Sequence, residues 1–182
     1  MIALILTSLA ILLTYMVTVV RKYCIPPSLS ETYYWLQEDN KGYRFQLALY
    51  GASLPLMPAF IELSKPNTTW LAFLACAALC FVATAPEFKK GLDRKIHIGA
   101  TIICALCSQA WVAIHDPWLL LLWLLPIIGI GCKVAENIKK NRRDIREAVH
   151  PVYWLRPPFF HCNVLFWVEL TAFGITYLAL LT

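Results

Sequence analysis

Six stretches of apolar residues, each close to bilayer-spanning length, govern what this chain can fold into. A helix needs about 20 mostly apolar residues to cross a bilayer. In hydrocarbon its backbone polar groups must all be satisfied internally, so helices are the natural spanning form. The stretches run from about Ile2 to Val20, Phe45 to Ile61, Trp70 to Ala85, Ile96 to Ile114, Trp118 to Ala135 and Val164 to Leu181. The third and fifth are short by apolar count, so they tilt little or extend into the interface. Of the 182 residues, 59% are hydrophobic and 15% charged, against about 45–50% and about 25% in soluble domains. That balance excludes a disordered chain, a coiled coil and an ordinary water-soluble enzyme. The expected fold is all-α: a polytopic bundle of six transmembrane helices over residues 1–182. No internal repeat or linker divides it.

The basic residues orient the bundle. Arg21, Lys22, Lys41 and Arg44 follow the first span, and Lys89, Lys90, Arg94 and Lys95 lie between the third and fourth. Lys133, Lys139, Lys140, Arg142, Arg143, Arg146 and Arg156 lie between the fifth and sixth. These alternate connections hold 15 of the 16 Lys and Arg residues; Lys65 is the other. The positive-inside rule makes them cytoplasmic. Both termini then face outward, as an even number of spans requires. The expected location is a bacterial inner membrane with periplasmic termini. Arg21 and Lys22 follow the first apolar run rather than precede it, which reads as an uncleaved anchor and not a secretory signal. The net charge of +5 suits an anionic inner leaflet and implies no nucleic-acid partner. Asn67-Thr68-Thr69 is a glycosylation sequon on the outer side, without meaning in a bacterium.

The outer connections are short, His115-Asp116-Pro117 being nearly one whole link. The inner ones are bulkier. Ser28 followed three residues later by Glu31 is a capping-box pattern. It predicts a short amphipathic inner-surface helix with Tyr33, Tyr34 and Trp35 at headgroup level. Glu136 to Val149 reads as helix, ended at His150-Pro151. Tyr153, Trp154, Phe159 and Phe160 read as an aromatic belt returning the chain to the membrane. Pro126, with Gly129 and Gly131 following, predicts a kink or close helix contact.

Polar residues inside the spans carry the functional signal. His97, Thr101, Cys104, Ser108, Trp111 and His115 fall on one narrow face of a helix. Thr7, Thr14 and Thr18, then Gln46, Tyr50 and Ser53, then Cys76, Cys80 and Thr84 make further stripes. Such stripes turn inward because lipid-facing polar groups lack partners. They either pack helices together or line a polar cavity. Glu169 lies about five residues into the sixth span, where an ionisable group is costly and points to function. His97, His161, Glu87, Glu31 and Ser28 are expected on the same inner side. Zinc in hydrolytic sites takes three such protein ligands plus water. His97, His161 and Glu169 are therefore the candidate metal set, and His97, Glu169, Glu87 and Glu31 the candidate catalytic set. Ser28, Thr101, Ser108 and Tyr34 are candidate ligand-binding residues. No H-E-x-x-H pattern is present. The structural alternatives are a paired carboxylate for Glu169, an interface residue for His161 and the capping box for Glu31. None of the seven cysteines falls in an outer loop, so no structural disulfide is expected. Cys104 and Cys107 form a C-x-x-C in an apolar helix, where cysteine acts as a small hydrophobe.

Pro27-Ser28-Leu29-Ser30-Glu31-Thr32-Tyr33-Tyr34 resembles a P-S-I/L-S-x-x-Y motif of bacterial multipass proteins of unknown function, distantly like the Frag1 group. Those proteins tend to carry a His before small residues at the start of a later span, as in His97-Ile98-Gly99-Ala100. The resemblance covers about the first 115 residues. It implies about six helices, with those residues on the cytoplasmic side, and no activity. A looser resemblance is to membrane hydrolases of the alkaline ceramidase and progestin-receptor type, which hold zinc with three His and an Asp. This chain lacks their paired His and has six spans in place of seven.

Three function classes follow. The first is a non-enzymatic membrane protein binding a lipid, small ligand, protein partner or second copy at an inner-side mouth. The second is a metal-dependent hydrolase of lipid-like substrates, with zinc as the candidate cofactor. The third is a small transporter or channel along the polar stripes.

Overall fold

The computed structural model describes residues 1–87, 89, 91–132 and 163–182. Its regular elements are helices: α1 (Ile2–Tyr23), α2 (Thr32–Glu38), α3 (Tyr43–Leu63), α4 (Thr69–Thr84), α5 (Gly91–His115), α6 (Pro117–Cys132) and α7 (Val164–Leu181). The expected helix over 136–149, the aromatic belt over 153–160, His161 and the last residues of the fifth span lie outside the described residues.

Helices α1, α5 and α7 are long and apolar enough to cross a membrane. The other three expected spans are helical but differ in kind. Helix α4 is apolar and has 16 residues. Helix α3 has 21 residues but includes Arg44, Gln46, Glu62, Pro55 and Pro58. Helix α6 opens as a 3₁₀ helix from Pro117 to Trp123 and becomes α-helical from Leu124. Pro126 therefore sits in the first turn of the α-helical part. The change of helix type thus falls just before Pro126, and a Cβ at Gly129 or Gly131 would meet nothing within 4 Å, so neither glycine makes the expected close contact.

Each helix buries the face that its pattern provides. On α1, Ile5, Ser8, Leu12, Tyr15, Met16 and Val19 are buried, while Leu6, Leu13 and Val17 are exposed. This is one stripe at helical spacing. Helices α1, α3, α4 and α5 pack in sequence, and α7 lies against both α5 and α1. Small residues permit the close approaches. Ala48, Ala52 and Ala59 of α3 are buried, as are Ala72, Ala75 and Ala83 of α4. A Cβ at Gly51 would stand 3.3 Å from the Ile11 side chain. Beside it, the Ser8 hydroxyl bridges α1 to the Ala52 carbonyl of α3 (2.6 Å) and to the Tyr177 hydroxyl of α7 (2.6 Å). The α5 stripe faces inward as expected. His97, Ser108 and Trp111 are buried, and Ile98, Ile102, Ile103 and Leu106 are exposed on the other side.

The bundle has a basic end, where α1 stops and α5 and α7 start, and an opposite end, where α3 and α5 stop. Arg21 and Lys22 occupy the last turn of α1, where positive charge suits the helix dipole. At Cys24 the backbone takes φ 68° and the chain turns back across the basic end.

Candidate functional site

The segment from Ile25 to Tyr34 is the hub of the basic end. It meets α7 first. Asn163 donates its side-chain amide to the Ile25 carbonyl (2.9 Å), and the Phe166 N–H donates to the Pro27 carbonyl (3.1 Å). The first N–H groups of a helix have no intrahelical partner, so the segment caps α7 with its own carbonyls. Glu169, less than two turns into α7, accepts the Leu29 N–H at 2.5 Å. The carboxylate expected to mark function thus anchors this segment.

The next residue meets α5. The Ser30 hydroxyl lies 2.8 Å from His97 Nε2, and His97 Nδ1 lies 2.8 Å from the Ala85 carbonyl. A carbonyl only accepts, so Nδ1 carries the ring proton. Nε2 of the neutral ring is then an acceptor, and the Ser30 O–H donates to it. His97 is 3% exposed. Thr32 reaches α1, its hydroxyl lying 2.5 Å from both the Tyr15 hydroxyl and the Leu29 carbonyl. Ser28 accepts the Glu31 N–H at 3.2 Å and so holds the turn before α2; the N-cap of α2 is Glu31, without a side-chain cap bond, so the expected capping box does not form on this helix. The Glu31 carboxylate pairs with Lys89 at 2.9 Å. Lys89 also donates its backbone N–H to the Tyr34 hydroxyl (3.0 Å) and places its ammonium 4.1 Å from the centre of the Tyr34 ring.

Tyr33 is buried within the protein at the basic end. It is 8% exposed and packs edge-on against Phe45 and Tyr34. Burial, reinforced by the negative charge of Glu87, pushes its phenol above the ordinary tyrosine range. Glu87 itself is exposed. His97 and Glu169 are brought together through consecutive residues, Ser30 and Leu29. Among the described residues, no three His, Cys, Asp or Glu side chains gather where they could hold a metal ion. His161 lies outside those residues.

A cavity of about 250 Å³ runs from this hub into the bundle. Leu29, Ser30 and Glu169 line it at the basic end, and Trp123, Thr176 and Tyr177 further in. Its wall includes Phe45, Leu49, Leu56, Phe60, Leu79 and Val82. The hydroxyls within the wall are already satisfied by protein partners. Thr101 donates to the His97 carbonyl, Ser108 to the Ala105 carbonyl, and Thr176 to the Ala172 carbonyl. Tyr177 is bonded to Ser8. At the basic end Ser30 and Glu169 are likewise bonded within the protein, so the cavity surface is almost wholly apolar. Ile102 and Ala105 of α5 and Leu165 of α7 also line the cavity and are exposed. Its side wall reaches the surface of the bundle between α5 and α7.

Two contributors escaped the sequence reading. Ser30 was hidden by Ser28, two residues earlier, whose capping spacing drew attention first. Gln109 fell outside the α5 stripe, yet it joins three helices. Its Nε2 donates to the Ala172 carbonyl and the Thr176 hydroxyl (both 3.2 Å), and its Oε1 accepts the Trp123 indole N–H (2.9 Å). A lone amide deep in a span, where it needs an interhelical partner, was the available signal. In comparisons with known proteins, no family model, no curated protein and no solved structure matches this chain.

Proposed function

We propose that this is a small multipass membrane protein that binds an amphipathic lipid. The lipid's apolar chain lies in the cavity and its polar head lies at Ser30 and Glu169. One observation carries the reading: an almost wholly apolar cavity with Ser30 and Glu169 in its wall at one end. Burial of an acyl chain needs apolar walls, at about 0.8 kcal/mol per CH₂ removed from water. A few placed polar groups then fix its orientation. A carboxylate at the mouth suits a head bearing hydroxyl or ammonium donors. An ion or small polar metabolite is served less well, because the cavity surface is almost wholly apolar.

In this reading all six long helices cross the bilayer. The 3₁₀ opening of α6 rises about 2.0 Å per residue against 1.5 Å in an α-helix, so α6 spans about 28 Å. The basic end faces the cytoplasm of a bacterial inner membrane and both termini are periplasmic, following the Lys/Arg distribution. The partners are membrane lipids, with a second copy or another membrane protein as further candidates.

A phospholipid carrying a diazirine in one acyl chain tests the binding. Irradiation of the protein in vesicles is expected to label Ile102, Cys104, Val168 or Ala172. Ala172→Trp, which fills the cavity, should reduce the label at least fivefold. Label spread evenly over Leu6, Leu13 and Leu106 on the outer faces, unchanged in Ala172→Trp, would refute it.

A further inference from the structure

We propose that Ser30 is a nucleophile activated by His97, and that the pair hydrolyses a carboxylic ester of an acyl lipid held in the cavity. The inference rests on the lipid-binding reading for its substrate, but not for its chemistry.

The geometry has the parts that an activated hydroxyl needs. Nucleophile and base lie within the usual 2.6–3.2 Å of hydrogen-bond reach, at 2.8 Å. A third group orients the base: the Ala85 carbonyl holds Nδ1–H at 2.8 Å, so that the acceptor nitrogen faces Ser30. The polypeptide around the nucleophile is pinned on both sides. The Leu29 N–H is held by Glu169 before it, and the Ser30 carbonyl accepts the Tyr33 N–H (3.1 Å) after it. Only the Ser30 side-chain torsion remains to be set, and positioning of this sort contributes much of a catalytic rate. Ser30 is partly exposed and lines the cavity, whereas His97 is buried behind it. The Ser30 residue therefore borders the proposed acyl chain, and a change of its side-chain torsion brings the hydroxyl to the ester.

The step balances with water as the co-reactant. Ser30 Oγ attacks the ester carbonyl carbon as its proton passes to His97 Nε2. The carbon–oxygen bond to the lipid alkoxide breaks, and His97 returns the proton to that alkoxide. This releases the alcohol and leaves an acyl group on Ser30. A water molecule, deprotonated by His97, then cleaves the acyl ester, releases the fatty acid and restores the Ser30 hydroxyl. Glu169 acts as a positioning residue: it holds the peptide before the nucleophile and touches no reacting atom.

Two fluorophosphonates, one with a long alkyl chain and one with short isopropyl groups, test the proposal on the whole protein in detergent micelles. Mass spectrometry of the labelled wild-type chain is expected to find the adduct on Ser30 with both reagents. Labelling should be at least tenfold faster with the long chain. Ser30→Ala should abolish the adduct, and His97→Gln should slow it at least a hundredfold. The position of the adduct in the wild-type chain decides the result whether or not the variants fold. No adduct on Ser30 with either reagent overturns the proposal, including where the diazirine lipid still labels the cavity. An adduct with the short reagent alone keeps the nucleophile and overturns the lipid-binding reading.

Discussion

Helix α5 carries a histidine on the same stripe near each end, and the two rings are held alike on one side and differently on the other. In both, Nδ1 faces a backbone carbonyl: Ala85 for His97 and Trp111 for His115. Both therefore present Nε2 as an acceptor. At the opposite end, Nε2 of His115 takes the Lys65 N–H at 3.2 Å, with the Thr68 hydroxyl at 3.5 Å. The ring stacks on Trp111 at 3.9 Å. This histidine closes the turn between α3 and α4. At the basic end, Nε2 of His97 instead takes the hydroxyl of Ser30, a residue that borders a cavity. The same tautomer serves as a structural clasp in one place and as a candidate base in the other. The group across Nε2 makes the difference, and the ring itself does not.

The largest expected effect separates the two rings by stability. His97→Ala removes a buried ring and strands the Ser30 hydroxyl and the Ala85 carbonyl. A cavity and unsatisfied polar groups together cost roughly 3 kcal/mol. His115→Ala removes bonds at a partly exposed turn and should cost about 1 kcal/mol. Equilibrium unfolding in mixed micelles measures both. Equal losses would break the contrast between a buried and a surface histidine.

The next effect tests Glu169 as an anchor. Glu169→Gln keeps an oxygen that can accept the Leu29 N–H and should change stability by less than about 1 kcal/mol. Glu169→Leu leaves that N–H buried without a partner, at about 1–3 kcal/mol. Hydrogen exchange at Leu29 should quicken in the leucine variant and stay near wild type in the glutamine variant. A slow amide in both would mean that Glu169 does not hold the segment. A third, smaller effect lies at the opposite end. Trp111→Phe keeps the aromatic packing against Phe60 but loses the indole bond to Ser64 (2.7 Å). About 1 kcal/mol is expected, with faster exchange confined to residues 64–69.

The helices were legible because their signal is local. Residues such as Ile5, Leu12 and Val19 are read by period alone, and each of the six expected spans overlaps a described helix, three of which are long and apolar enough to cross a membrane. Which helices satisfy length and hydropathy was less legible. Helix α3 spends positions on Arg44 and Glu62, and the helix type of α6 depends on Pro117 and Pro126 together. The site was half legible. Glu169 and His97 stood out as costly residues in apolar surroundings, and both lie at the hub. Their actual partners are a backbone N–H at Leu29, a carbonyl at Ala85 and the hydroxyl of Ser30. Backbone partners leave no trace in residue type. The contacts also cross 140 and 67 positions of chain, a distance over which no spacing rule operates.

The smallest expected effect asks whether surface charge adds to the buried network at the basic end. Asp39 pairs with Lys22 and accepts the Tyr23 hydroxyl, and both charged side chains are well exposed. The Lys22 ammonium, then the Tyr23 hydroxyl, hold the Asp39 carboxyl below the usual aspartate range. A carboxyl depressed in the folded state adds stability that is present above its unfolded value, about 3.9. That stability is lost as pH falls through the lower folded value. Asp39→Asn should therefore differ from wild type above about pH 4 and converge with it in stronger acid. Solvent and salt screen such a pair, and exposed pairs contribute little. The difference in Tm should be small at low ionic strength and should shrink further at about 1 M salt. His97→Ala should lose as much stability in high salt as in low, because its bonds are buried. If instead Asp39→Asn destabilises as strongly as His97→Ala, and salt abolishes both losses, the basic end is held by its charges, and the contrast between the two histidines would need another cause.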